Sequence, residues 1–333
     1  MREWFYELGI GETRAALIED GRILTARIEA DDDGVRAGGI HEARLKAVVI
    51  PGRRAIVTLE GGQDALIEPV PAGVSEGGKL LVEVHRAALP EAGKDKLAIV
   101  RRAAAGAVVS PAPDLVMRLH ESGERARPVA SHGIDELEAA GWSELLEEAR
   151  TGHADFAGGA LRLSLTPAMT LIDIDGWLSP ADLAVAGAAA AARLIWRHDI
   201  GGSIGIDLPT AGSKVARQAA ADAFDASLPQ PFERTAVNGF GFLQIVRRRS
   251  RASIPERIQG DPIGAATRAL MRRAERTPGV GMRTVSAAPA VIRRIETRVD
   301  WQELLVRRIG APIALRADAS LAISAGHVDA QNP

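Results

Sequence analysis

Three aspartates have the type and spacing to do chemistry. Asp173 and Asp175 lie in Thr170-Leu171-Ile172-Asp173-Ile174-Asp175, and Asp207 ends the run Ser203-Ile204-Gly205-Ile206-Asp207. Alternate residues of a strand share a face, so Asp173 and Asp175 fall on one side of a strand, at its C-terminal end. If the second run is a parallel neighbour, Asp207 arrives beside them, at the edge where open α/β sheets build their sites. Carboxylates that converge there repel unless a cation lies between them, and a hard divalent ion such as magnesium prefers oxygen ligands. Such an ion would activate water against a phosphodiester and stabilise charge on the phosphoryl oxygens. Strand-end aspartates also commonly cap nearby backbone groups, so residue type alone leaves both readings open.

A second group is basic. Arg247, Arg248, Arg249 and Arg251 cluster within five residues, which suits either phosphate contacts or a solvated face at a helix end. Arg293, Arg294, Arg298, Arg307 and Arg308 could extend that patch or pair on the surface. Other chemistries are disfavoured. The seven histidines show no metal-ligand spacing, and no G-x-S-x-G elbow occurs. Gly201-Gly202-Ser203-Ile204-Gly205 precedes a strand instead of following one, unlike a nucleotide-binding loop. The scattered tryptophans read as core or interface residues.

The elements that must position these groups follow from the pattern. Gly158-Gly159 leads into Ala160–Leu165, and Thr166-Pro167 turns into Met169–Asp175, which is a hairpin. Ser179-Pro180-Ala181-Asp182 supplies an N-cap, a first-turn proline and an acid at the positive helix end. The helix runs through the alanines to about His198 and stops at Gly201-Gly202, after which Ser203–Leu208 is a strand, giving a right-handed parallel crossover. Further helices are expected over Gly133–Arg150, Ser213–Ser227, Pro262–Arg276 and Trp301–Arg308, with Asn238–Arg251 a strand or helix and short strands in the tail. From Trp4 to about Val100, short apolar runs alternate with glycine turns, suggesting a small barrel of OB type or an open sheet.

Composition sets the bounds. The chain has 333 residues, 46% apolar and 25% charged, and its 41 basic and 43 acidic residues leave a formal charge of −2. That is a soluble globular balance, and any RNA contact must come from a local patch. With no cysteine, disulfides, thiolate zinc sites and cysteine nucleophiles are excluded, which fits a cytoplasmic protein. No signal-type segment opens the chain, and the longest apolar run, Leu183 to Ile195, is too short to span a bilayer and contains Arg193.

The stretch from Gly158 to Arg251 resembles the catalytic region of the ribonuclease E/G family. Thr170–Asp175 is similar to the family's A-I-D-I/V-N, and Arg197-His198-Asp199-Ile200-Gly201-Gly202-Ser203-Ile204-Gly205-Ile206-Asp207-Leu208 to R-D-I-G-G-x-I-V-I-D-F. Asn238-Gly239-Phe240-Gly241-Phe242-Leu243-Gln244-Ile245-Val246-Arg247-Arg248-Arg249 is similar to S-R-F-G-L-L-E-M-x-R-Q-R. The resemblance implies a magnesium-dependent endoribonuclease, with manganese able to substitute, acting on single-stranded RNA. It places Asp173 and Asp207 as the metal ligands, and Asp175 where the family has an asparagine that orients the reacting groups. It also implies an α+β or α/β chain with four parts: an OB/S1-like RNA-binding barrel segment (1–105), a helical connector (106–157), an RNase H-like catalytic domain (158–276) and a C-terminal α/β extension (277–333).

Departures from the family pattern are specific. Where the family's barrel presents aromatic rings for base stacking, this chain has Ile56 and Leu66, leaving Lys94 and Lys96 as phosphate contacts. The arginine–threonine pair that senses a 5′-monophosphate is not found, and without cysteines there is no zinc link, so a homodimer would have to form without one. The alternative reading is a non-catalytic RNA-binding protein on the same scaffold.

Overall fold

The computed structural model describes residues 2–91, 95–130 and 133–330 of this mixed α/β chain. Strands β1 (Arg2–Leu8), β2 (Glu12–Glu19) and β3 (Arg22–Ala30) form an antiparallel meander. They precede the barrel and are not part of it. The barrel closes from β4 (Ile40–Ile50), β5 (Arg54–Leu59), β6 (Asp64–Ile67), β7 (Lys79–Arg86) and β8 (Ala98–Arg102) in the order β4-β5-β6-β8-β7, a layout compatible with an OB-type fold. Strand alternation fills its interior with Ala43, Leu45, Ala55, Val57, Leu59, Ala65, Ile67, Val82, Val84, Ala98 and Val100.

The connector holds more than helices. Asp114 caps α1 (Leu115–Glu121), and β9 (Ala126–Pro128) then adds to β1 as a parallel edge strand. The helix expected over Gly133–Arg150 is two helices, α2 (Glu136–Ala139) and α3 (Trp142–Thr151), separated at Gly141, whose φ of +98° ends a right-handed turn. Trp142, Leu145 and Ala149 of α3 share a core with Ala16, Ile18, Ile23 and Ala26 of the first sheet.

The central sheet follows in the order β10-β11-β12-β13-β15-β14. Its strands are β10 (His153–Phe156), β11 (Gly159–Leu165), β12 (Thr170–Gly176), β13 (Gly202–Asp207), β14 (Glu233–Arg234) and β15 (Phe242–Arg247). Only β12 and β13 pair in parallel, joined by α4 (Pro180–Arg197). The Ser179 hydroxyl accepts from the Asp182 amide and Pro180 enters the first turn, as the cap signature requires. An alanine-rich face lets α4 lie close to the sheet: a Cβ on Gly187 would sit 2.6 Å from Ile174 Cγ2. Helix α5 (Lys214–Ser227) packs on α4 and adds Ala220, Ala221 and Phe224 to the same core.

Helices α6 (Ile254–Gly260) and α7 (Pro262–Arg276) lead to a three-stranded sheet of β16 (Arg283–Ala287), β17 (Ile313–Ala317) and β18 (His327–Ala330). Two helices, α8 (Pro289–Glu296) and α9 (Val299–Ile309), occupy the tail where one is expected. A buried charge network ties this end of the chain to its start. Arg272 donates to Glu12 at 2.6 Å, Arg276 Nε to Glu7 at 2.9 Å, and Arg257 grips Asp33 through both terminal nitrogens at 2.6 and 2.7 Å. Arg14, 1% exposed, pairs with Glu7 and Asp135 and lies over the Trp142 ring. Breaking one partner of a buried pair costs about 3–5 kcal/mol, so these contacts hold the two ends of the chain in register. None of the described helices is long and apolar enough to cross a membrane.

Candidate metal and nucleic-acid site

The central sheet has one covered face and one open face. Thr170, Ile172 and Ile174 of β12 and Ile204 and Ile206 of β13 are buried on the covered side, whereas Asp173, Asp175 and Asp207 are exposed on the other. In the parallel register Asp173 lies directly opposite Asp207. Neighbouring strands run about 4.8 Å apart, so these two carboxylates share a site at the C-terminal edge of the pair. Asp175 lies two residues further along and turns to Arg162, whose Nε is 3.3 Å from its Oδ2. Among the described residues no group of three or more His, Cys, Asp and Glu side chains is placed to hold a metal ion. The geometry is therefore that of two carboxylates with open solvent, not of three convergent acids.

The floor beside the pair is aromatic. Phe242 lies opposite Asp207 in the antiparallel β13–β15 register. Its ring occupies the space over Gly205, where a Cβ would be 2.6 Å from Phe242 Cζ and 2.9 Å from Leu171 Cδ2. The turn before β15 is held by Asn238, whose Oδ1 accepts from the amides of Phe240 and Phe242 at 2.9 and 3.0 Å. Leu208, next to Asp207, donates its amide to Gly241 at 3.2 Å, fixing that turn at the carboxylate edge.

No protein-family model matches the chain, and no curated protein matches it. What the site can do therefore rests on its own geometry.

Of the two readings of Asn238–Arg251, strand or helix, the basic run follows the strand. β15 ends at Arg247, so the run continues a strand and not a helix. Arg247 donates to the Ile200 carbonyl at 3.0 Å and lies 3.8 Å from Asp199, while Arg251 bonds Asp199 at 2.8 Å through Nε. Arg249 pairs with Glu256. Burial holds the Arg247 and Arg249 guanidinium groups below the ordinary arginine value, with Asp199 opposing the effect at Arg247. These three arginines pin the end of β15 and the segment after it to the loop between α4 and β13 and to α6. Arg248, which is exposed, is the member of the run with no carboxylate partner among the described residues. Lys96 bonds Glu91 and the Pro167 carbonyl, the latter at 3.0 Å, so it ties the barrel to the β11–β12 turn. Lys94 lies outside the described residues.

Ile56 and Leu66 face each other across β5 and β6, half-buried on the outside of the barrel. Aromatic side chains appear elsewhere. Trp177 is 79% exposed and Phe240 85% exposed, and both stand at the carboxylate end of the sheet. Trp4, Trp142 and Trp301 are buried as expected, but Trp177 is not a core residue. The missed signal is local. Leu178 lies against Gly158, where a Cβ would be 2.4 Å from its Cδ1, yet stays 38% exposed, and its neighbour Trp177 projects from the strand end.

Proposed function

We propose that this chain is a metal-dependent endoribonuclease that cuts single-stranded RNA, with a ribonuclease E/G-like catalytic region on an RNase H-like sheet. The observation that carries this reading is the in-register pairing of Asp173 with Asp207 on adjacent parallel strands of an open face. Two exposed carboxylates fit magnesium, which keeps several waters and takes one or two carboxylates together with substrate phosphate oxygens. When bound, the ion supplies charge neutralisation at the phosphodiester and an activated water.

The chain's own residues set the rest. Asp173 and Asp207 would hold the cation at the sheet edge, and the Asn238 turn keeps the strand beside them in place. The Arg162–Asp175 pair borders the same face and orients a strand passing across it. Asp173→Asn and Asp207→Asn should each reduce cleavage of an A/U-rich single strand to background while leaving the fold unchanged, because both side chains are exposed. If wild-type protein with magnesium or manganese leaves such RNA intact, the nuclease reading fails. RNA binding without turnover would instead support a non-catalytic RNA-binding protein.

A further inference from the structure

We infer that Trp177 and Phe240 form a base-stacking clamp that holds single-stranded RNA across the Asp173–Asp207 edge. The inference rests on the nuclease reading for its substrate class, but its evidence is separate. Apolar side chains scattered singly on a folded surface are ordinary, but grouped ones mark interaction sites. Here the chain leaves two rings 79% and 85% exposed, both at the same end of the central sheet. Trp177 immediately follows β12, which carries Asp173. Phe240 lies in the turn leading into β15, whose Phe242 is opposite Asp207. The sheet order β12-β13-β15 therefore sets the rings on the outer strands, with the carboxylate pair on the first two.

That arrangement selects the occupant. A protein partner or a second copy covering both rings would also bury Asp173, Asp207 and Asp175 and would have to bring its own Lys or Arg to them. A single nucleic-acid strand stacks its bases on the rings and leaves its phosphates over the carboxylates, where a divalent cation joins the two. The rings are also placed where grip is otherwise thin. The barrel's outward Ile56 and Leu66 offer no π-face, and three of the four clustered arginines are engaged internally.

The experiment uses the full chain with calcium in place of magnesium, to hold RNA without turnover. Of the five tryptophans, Trp4, Trp142 and Trp301 are 2% exposed or less. Trp196 is half-buried under the Arg2 guanidinium, so quenching by a strand at the sheet edge reads Trp177, and Trp177→Ala should abolish it. A single-stranded oligoribonucleotide should quench that emission, and an abasic sugar-phosphate strand of equal length should not. Trp177→Ala and Phe240→Ala should each weaken oligoribonucleotide binding, read by anisotropy, at least about fivefold, with unchanged melting temperatures. Equal quenching by base-bearing and abasic strands overturns the clamp, as does wild-type affinity in both variants. A dimer in sedimentation that either variant dissolves assigns the rings to a second copy and also overturns it. Quenching and weakened variant binding without cleavage in magnesium would sink the nuclease reading and leave the clamp standing. Cleavage with wild-type affinity in both variants would do the reverse.

Discussion

The proximity of Asp173 and Asp207 can be measured without any assay of activity. Their in-register placement on adjacent parallel strands sets their α-carbons about 5 Å apart, and side chains leaving one face side by side keep about that spacing. Two like charges at that distance repel by roughly 1 kcal/mol in a water-like dielectric and about 3 kcal/mol at an effective dielectric of 20. Both side chains are exposed, which puts the repulsion at the lower figure. Metal-free Asp207→Asn should therefore stabilise the fold by about 1 kcal/mol, and Asp173→Asn by less, because it also loses the attraction of its cross-strand neighbour Arg162. The double variant should gain no more than either single one, since one substitution already removes the repulsion. The thermodynamic cycle then closes with a coupling of about 1 kcal/mol instead of additivity.

Urea denaturation in a chelator at low ionic strength reads these values, and added salt should erase the gain, because screening at about 1 M acts over roughly 3 Å. Magnesium gives the complementary arm. For a dissociation constant of about 1 mM, 10 mM magnesium stabilises the wild type by about 1.4 kcal/mol, and both single variants should lose that response. Additive effects, destabilisation by Asp207→Asn, or a magnesium response retained in the double variant would each refute the paired-carboxylate geometry.

Three other outcomes follow from particular contacts. Gly205→Ala places a methyl group against Phe242 and Leu171, each within 3 Å of it, and should cost about 1–3 kcal/mol in denaturation; wild-type stability would mean that the Phe242 ring does not lie over Gly205. His198 is buried against Glu148 at 3.0 Å, and burial holds its imidazole below the ordinary 6.5 despite that hydrogen bond. Its neutral form therefore contributes stability that is complete above pH 6.5 and is lost as the pH falls from there toward the folded value, because the unfolded chain takes the proton first; His198→Gln should flatten the stability profile between pH 7 and 5, and an unchanged slope would refute the assignment. Arg251→Ala leaves the part-buried Asp199 with only its longer contact to Arg247 and should destabilise by at least about 1 kcal/mol, while Arg248→Ala should leave the melting temperature unchanged; the reverse order would overturn the division between structural and free arginines.

The parts of the fold legible in the sequence are those where a local rule acts alone. Ser179-Pro180-Asp182 started α4 where capping chemistry requires, and the Thr166-Pro167 turn set up the β11–β12 hairpin. The short crossover from β12 to β13 then made the pairing parallel, which put Asp173 beside Asp207. Parts decided by distant partners were not legible. β1 to β3 alternate like barrel strands, yet Glu7 and Glu12 bury their carboxylates against Arg276 and Arg272, which lie more than 250 residues away in sequence. These three strands stand outside the barrel, in a separate sheet that β9 completes. The basic run misled for a similar reason. Asp199, about 50 residues earlier, neutralises Arg251 and draws in Arg247, so a charge cluster in the sequence is largely internal wiring in the fold.

This wiring has a consequence for how the chain would hold RNA. A strand that used all four clustered arginines would neutralise four phosphates, and the slope of log affinity against log salt would be about −2.8. With Arg247, Arg249 and Arg251 engaged and Arg162 paired with Asp175, Arg248 leaves about one contact, and a slope of about −0.7. Stacking on Trp177 and Phe240 adds affinity without adding to that slope, since bases carry no charge. Titrations at several salt concentrations, with calcium held constant, separate the two cases. A shallow slope that Arg248→Ala lowers further fits a net charge of −2 and a grip made of rings and a cation. A slope near −2.8 would mean that the arginine pairs open when RNA binds, and that the basic run belongs to the binding surface after all.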